Sequence, residues 1–118
     1  MSELKKIALE WFDAFNSHNI KSLLALYDEQ AEHYSPKLKV LMPETQGLIK
    51  GKPALRAWWT DAFNRLPQLH YKLLQLTADG EQVFMEYIRH SPGEGDLRVS
   101  EVLIIRNSKI IASRVYHS

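Results

Sequence analysis

The sequence contains no cysteine, and that absence excludes several classes of site at once. Without thiols the chain cannot form disulfides, use a cysteine nucleophile or build a cysteine-containing zinc site. The formal net charge is only +1, which gives no sign of the basic surface that nucleic acids and anionic membranes attract. No apolar run is long enough to span a bilayer, and the N-terminal residues lack the apolar segment of a secretory signal. We therefore expect a cytoplasmic protein that binds neither nucleic acid nor membranes.

What is present is the composition of an ordinary globular protein. The chain has 118 residues, of which 45% are hydrophobic and 25% are charged, a balance that argues against disorder. This length is close to the commonest size of a single domain. We therefore expect one domain, residues 1–118, with one core.

The first half of the chain carries helical periodicity. Apolar residues recur every three or four positions in three segments, which predicts three helices. Ser2 and Asn19 are placed to cap the first two helices, and Pro53 suits the first turn of the third. Residues 31–35 are typical of a short strand that stops before Pro36, whereas residues 36–50 carry no pattern that can be assigned. The three apolar stripes are Leu4, Ile7, Ala8, Trp11, Phe12 and Phe15; Ile20, Leu23, Leu24 and Tyr27; and Leu55, Trp58, Trp59, Ala62, Phe63 and Leu66.

From residue 69 onward the hydrophobic period changes from helical spacing to alternation. This pattern predicts four strands joined by three hairpin turns. The predicted strands are residues 69–77, 82–90, 97–106 and 109–116. Helices first and strands afterwards indicate an α+β fold, with three N-terminal helices packed on a mostly antiparallel sheet.

Four segments, taken in their order and spacing, carry a resemblance to a known family. Residues 11–20, 24–31, 51–56 and 108–117 resemble the corresponding parts of the SnoaL-like, NTF2-like superfamily. The resemblance implies a cone-shaped α+β barrel whose curved sheet wraps the first helix around a pocket, and pairing of two subunits through the outer sheet face. Members include ketosteroid isomerases, polyketide cyclases, epoxide hydrolases and dehydratases, so the fold alone does not define a reaction.

The residues that the resemblance places at the family's catalytic positions differ from those of its enzymes. Ser35 stands where isomerases have their general-base aspartate, and a serine hydroxyl cannot act as a carboxylate base near neutral pH. Trp11 stands where isomerases have the tyrosine that donates a hydrogen bond to the oxyanion. Glu101 stands where they have a protonated aspartate that donates a second hydrogen bond. Val115 stands where epoxide hydrolases need a last aspartate. Ordinary ketosteroid isomerisation and epoxide hydrolysis are therefore disfavoured.

Strand alternation, combined with the register that the resemblance implies, predicts which side chains face the pocket. The inward faces are Val99, Glu101, Leu103 and Ile105; Val83, Met85, Tyr87 and Arg89; and Ile111, Ser113, Val115 and His117. His33 shares a face with Ser35. The candidate catalytic residues are Glu101 or His33 as proton carrier and Arg89, which would polarise an oxygen or hold a carboxylate. The candidate ligand-binding residues are Trp11, Phe15, Ser35, Trp58, Trp59, Phe63, Tyr87 and His117.

Each candidate also has a purely structural interpretation. Arg89 and Glu101 could form a cross-strand salt bridge without any function, and the aromatic residues stand at spacings that suit core packing. Phe84, Glu86 and Ile88 share the opposite face, which suits a homodimer interface.

The sequence offers no feature that requires a metal or another cofactor. The five histidines show no paired ligand spacing, no glycine-rich loop opens a helix, and no serine lies in a nucleophile elbow. We expect a protein that binds a small, largely apolar molecule, with cofactor-free acid–base chemistry of an isomerase, cyclase or hydrolase. The alternatives are a non-catalytic carrier of small ligands, or a dimeric interaction module whose cone is filled by its own side chains.

Overall fold

The computed structural model describes residues 2–117 and begins with two capped helices. In α1 (Glu3–Asn16) the Ser2 hydroxyl accepts a hydrogen bond of 3.2 Å from a backbone N–H of the first turn. In α2 (Ile20–Ala25) the Asn19 side chain accepts the equivalent bond at 3.0 Å. Both caps confirm the sequence prediction, because each polar side chain satisfies a backbone donor that has no partner within the helix.

The segment without an assignable pattern contains a helix and a strand. After β1 (Tyr27–Tyr34), Ser35 caps a short helix, α3 (Pro36–Leu41), and a single 3₁₀ turn (Pro43–Thr45) leads into β2 (Leu48–Lys50). The sequence could not show this helix because its exposed apolar residues form no stripe. A strand of three residues is also too short to display alternation.

The remaining elements follow the predicted order. The helix α4 (Lys52–Arg65) carries its proline in the first turn. It is followed by β3 (His70–Asp79), β4 (Gln82–His90), β5 (Leu97–Arg106) and β6 (Lys109–Tyr116). The predicted bounds of the last three strands are confirmed, and β3 is displaced by one or two residues at each end.

The six strands form one mixed sheet in the order β2-β1-β6-β5-β4-β3. Only the β1–β6 pair is parallel, so the predicted α+β fold with a mostly antiparallel sheet is confirmed. The predicted inward faces of β4 and β5 are buried. On β6 the prediction fails at one end, because a bulge between β5 and β6 leaves Ile111 unpaired and buries Ile110 completely.

Helices cover the inner face of the sheet. Helix α1 lies against β3 and β4, and α4 lies against β1. Apolar residues fill one end of the space between the layers: Ile7, Ala8, Val83, Leu103, Ile105 and Ile110. The other end holds a cavity. Within residues 2–117, no helix has the length and apolar character needed to cross a membrane.

Candidate functional site

The cavity between the helices and the inner face of the sheet has a volume of about 320 Å³. Ten of the eleven candidate site residues line it: Trp11, Phe15, His33, Ser35, Trp58, Trp59, Tyr87, Arg89, Glu101 and His117. They come from α1, α4, β1, β4 and β5, together with Ser35 after β1 and His117 after β6, so only the fold brings them together. This placement does not test their roles, which stay predictions.

Phe63 is the candidate residue that the structure places elsewhere. Its ring stacks on His18 with centroids 4.2 Å apart and meets Phe15 edge-on at 5.0 Å. His18 donates from Nε2 to the carbonyl oxygen of Leu69, 2.7 Å away. Phe63 therefore packs against the turn between α1 and α2, and Ala62 on the same helix lines the cavity.

Several lining residues were missed by the sequence reasoning. Tyr71 on β3 stacks between Phe15 and Tyr87, with centroid distances of 4.0 and 4.2 Å. Alternation on β3 could have found it, because Tyr71 pairs directly with Arg89 on the neighbouring strand. Four more come from the unassigned segment: Pro36, Lys37, Val40 and Leu41.

Glu101 is the most unusual side chain in the cavity wall. It is only 1% exposed, and its Oε1 accepts a short hydrogen bond of 2.6 Å from the Tyr87 hydroxyl. Its Oε2 is buried and has no hydrogen-bond partner among the described residues. Burial raises the pKa of Glu101 to about 7, although the Tyr87 hydrogen bond acts in the opposite direction. Near neutral pH the carboxyl can therefore either release or accept a proton.

The two tyrosines beside Glu101 stay protonated. Burial, and then the negative charge of Glu101, raise the pKa values of Tyr87 and Tyr71 above the ordinary value. Arg89 lowers that of Tyr71, but this effect is smaller. Tyr87 is thus a permanent hydrogen-bond donor to the carboxyl.

Arg89, a cationic residue of the cavity wall, does not pair with Glu101. The Arg89 guanidinium is 2.5 Å from the carboxylate of Glu94, through Nη1 and Oε1. On the β4–β5 ladder Arg89 faces Leu97, while Glu101 faces Met85. The proposed Arg89–Glu101 salt bridge is therefore wrong, because the two residues lie four ladder positions apart.

A buried chain of hydrogen bonds connects α1 to His33. The Trp11 indole N–H donates to the Tyr27 hydroxyl at 3.0 Å, and that hydroxyl donates to Ser113 Oγ at 3.0 Å. Ser113 Oγ is also 2.7 Å from His33 Nδ1. An indole can only donate, so Trp11 donates to Tyr27, and the tautomer of the His33 ring sets the direction of its hydrogen bond with Ser113.

Burial also sets the charge of His33. It lowers the pKa of His33 to about 3, so the ring is neutral at neutral pH. The Trp11 N–H already donates to Tyr27 in this series of hydrogen bonds.

The sequence pattern of the SnoaL-like domain matches residues 8–113, which is most of the chain. The protein belongs to this SnoaL-like family. No curated protein sequence matches it significantly.

Solved structures share the NTF2-like cone fold of this SnoaL-like protein at low sequence identity. A SnoaL-like protein of unknown function from Burkholderia thailandensis has a TM-score of 0.88 at 23% identity, covering 98% of this chain and 94% of that one. A proposed polyketide cyclase from Sinorhizobium meliloti has a TM-score of 0.80 at 16% identity, and the match covers 98% of this chain and 100% of that one. A proposed ketosteroid isomerase from Kribbella flavida has a TM-score of 0.80 at 16% identity, and the match covers 98% of this chain and 78% of that one. These likenesses show the fold and no activity.

Ser35 has a structural role in this SnoaL-like fold. Its hydroxyl caps α3 by accepting a hydrogen bond of 3.2 Å from the Lys37 backbone N–H. Among residues 2–117, no three His, Asp or Glu side chains come together as a metal site.

Proposed function

We propose that this SnoaL-like protein binds a small, largely apolar molecule in its cavity and transfers a proton on it through Glu101, without a cofactor. The observation that carries the proposal is the state of the Glu101 carboxyl, buried among aromatic rings with Oε2 unpartnered within the described chain. A donor on a bound molecule can satisfy that oxygen, and a carboxylate oxygen without a partner is free to take a proton as a general base must.

The size and walls of the cavity support the choice of ligand. At about 30 Å³ per water-sized group, 320 Å³ holds a molecule of roughly ten to fifteen non-hydrogen atoms. Phe15, Trp58, Trp59 and Tyr71 present ring surfaces to it. A ligand with one ring and a few polar atoms fits these walls.

The step that we propose begins with the ionised carboxylate. Glu101 removes a proton from a C–H bond next to a carbonyl, and the electron pair of that bond moves onto the carbonyl oxygen, giving an enolate and a neutral carboxyl. Return of the proton to another carbon or to oxygen completes the transfer. His33 lines the same cavity, and in the tautomer with its proton on Nε2 the ring would stabilise the enolate oxygen.

Isomerisation and ring closure can both begin with such a step. The names of the neighbours in the family, a proposed polyketide cyclase and a proposed ketosteroid isomerase, support this class of reaction. Tyr87 would hold Glu101 in place in both protonation states.

A second candidate is a non-catalytic carrier of small molecules. Ser35 favours it, because the position that carries the base in isomerases is here a helix cap. The filled-cone interaction module has less support, since a cavity of about 320 Å³ is open between the layers.

Proton exchange on a test ketone distinguishes the two candidates. We expect the protein to accelerate exchange of the α-protons of 2-tetralone in D₂O, followed by ¹H NMR. Glu101→Gln should lose about a hundredfold or more of that acceleration. Glu86→Gln, on the outer face of the sheet, is the control and should keep it. Binding of the ketone without exchange would favour the carrier, and full exchange by Glu101→Gln would exclude Glu101 as the base.

A further inference from the structure

We infer that the ligand carries a carboxylate, and that Arg89 binds it at the cavity mouth in place of Glu94. The inference rests on the proposed function in that it uses the same cavity. Arg89 is only 7% exposed, and its guanidinium belongs to a wall that is otherwise mainly apolar. A buried cation needs an anionic partner, because desolvation without one is costly.

The present partner of Arg89 is suited to be displaced. Glu94 belongs to the connection between β4 and β5, residues 91–96, and its side chain is 43% exposed. The ion pair joins one guanidinium nitrogen, Nη1, to one carboxylate oxygen. A guanidinium can bind a carboxylate with two parallel hydrogen bonds, so a ligand carboxylate can make a better contact than Glu94 does.

Charges around the mouth favour an additional anion. Lys37 on α3 and Arg65 on α4 line the cavity beside Arg89 and Glu94, and both lower the pKa of Glu94. Arg65 is also paired with Asp61 at 2.7 Å. Three cations thus face two carboxylates, and one ligand carboxylate would balance the remaining charge.

The ladder sets the orientation of the ligand. Arg89 lies four residues along β4 from Met85, the partner of Glu101, which corresponds to about 13 Å of strand. An elongated molecule can therefore place its carboxylate at Arg89 and its apolar body between Trp59 and Glu101. The substrate class is an aryl- or cycloalkyl-substituted carboxylic acid.

A matched pair of probes tests the carboxylate. We would titrate 3-phenylpropanoate and the neutral 3-phenylpropanamide, which have nearly the same shape, by isothermal calorimetry. The wild type should bind the carboxylate about tenfold more tightly than the amide. Arg89→Gln should remove that preference, because it should weaken binding of the carboxylate about tenfold more than binding of the amide.

Removing the displaced partner should have the opposite effect. Glu94→Gln should strengthen binding of the carboxylate severalfold without changing that of the amide, because the competing anion is lost. Glu86→Gln is the matched control, since it breaks the Arg98–Glu86 pair on the other face of β4. It should change neither affinity.

The outcomes separate this inference from the proposed function. Equal binding of both probes, or a preference that survives Arg89→Gln, overturns the inference that Arg89 binds a ligand carboxylate. Neither result affects the chemistry proposed for Glu101. Binding of neither probe also overturns it, and exchange of 2-tetralone then shows whether the cavity itself binds. If Arg89→Gln does not fold, an unchanged affinity of Glu94→Gln for the carboxylate is sufficient to overturn it.

Discussion

Replacing Glu101 by glutamine should change how the stability of the protein depends on pH. Glutamine keeps the shape of the side chain and an oxygen that accepts from Tyr87, but it cannot ionise. The free energy of unfolding of wild type minus that of Glu101→Gln therefore isolates the proton of one buried carboxyl, together with a constant offset for the amide group.

The magnitude follows from the pKa of Glu101, which is raised from 4.5 to about 7. Below pH 4.5 the carboxyl is protonated in both the folded and the unfolded state and gives no pH-dependent penalty. As the pH rises from 4.5 to about 7, the unfolded chain releases the proton while the folded protein retains it, so stability falls. At about 1.4 kcal/mol per pH unit, the loss reaches about 3 kcal/mol above pH 7.

His33 acts in the opposite direction, because its pKa is lowered from 6.5 to about 3. Between these values the unfolded chain binds a proton that the folded protein does not, so stability rises with pH. From pH 4.5 to 6.5 the contributions of His33 and Glu101 should nearly cancel in the wild type. In Glu101→Gln the contribution of Glu101 is absent and that of His33 remains, so stability should rise with pH across that window.

Urea unfolding followed by circular dichroism, at half-unit steps from about pH 4.5 to 8, measures these differences. Glu86→Gln is the control, because the pKa of this exposed glutamate is lowered by Arg98 and Gln75. Its profile should follow that of the wild type above pH 5. A wild-type minus Glu101→Gln difference that stays constant with pH would refute the reasoning, since Glu101 would then titrate as in the unfolded chain.

Two further predictions concern the buried hydrogen-bond chain and the outer sheet face. Ser113→Ala should destabilise the protein by about 1–3 kcal/mol, because Tyr27 and His33 Nδ1 lose their shared partner, and ¹⁵N NMR should show a changed chemical shift of His33 Nδ1. The exposed Ser100→Ala on β5 is the control and should change neither. We also propose that two copies pair through the outer face on which Phe84 is 54% exposed, so that Phe84→Glu converts a dimer into a monomer in sedimentation velocity. A wild-type monomer, or a dimer unchanged by Phe84→Glu, would contradict this interface.

Features that depend on neighbouring residues could be predicted from the sequence. Ser2 and Asn19 cap helices because the bond that each makes spans only three residues. Alternation placed the bounds of β4, β5 and β6, because a strand repeats its side-chain direction every two residues, and the register implied by the family resemblance turned Glu101 inward. The α+β architecture followed from the order of these elements, and the family from the resemblance of four segments.

Features that depend on contacts between distant segments could not be predicted from the sequence. The Arg89–Glu94 pair requires the path of residues 91–96, and the bulge at Ile111 breaks the alternation on which the prediction depended. Phe63 has the same helical spacing as the cavity residues, yet it packs on His18, whose position depends on the turn after α1.

The candidate site divides in the same way. The sequence by itself determined which side chains share a strand face, and with the register of the resembling family this predicted that Glu101 and His33 face the interior. The tertiary structure alone decided their protonation, because Tyr87 and Ser113 come from other strands and burial depends on every layer around them. Periodicity specifies the direction of a side chain, whereas a pKa depends on the desolvation and the partners that only the assembled fold provides.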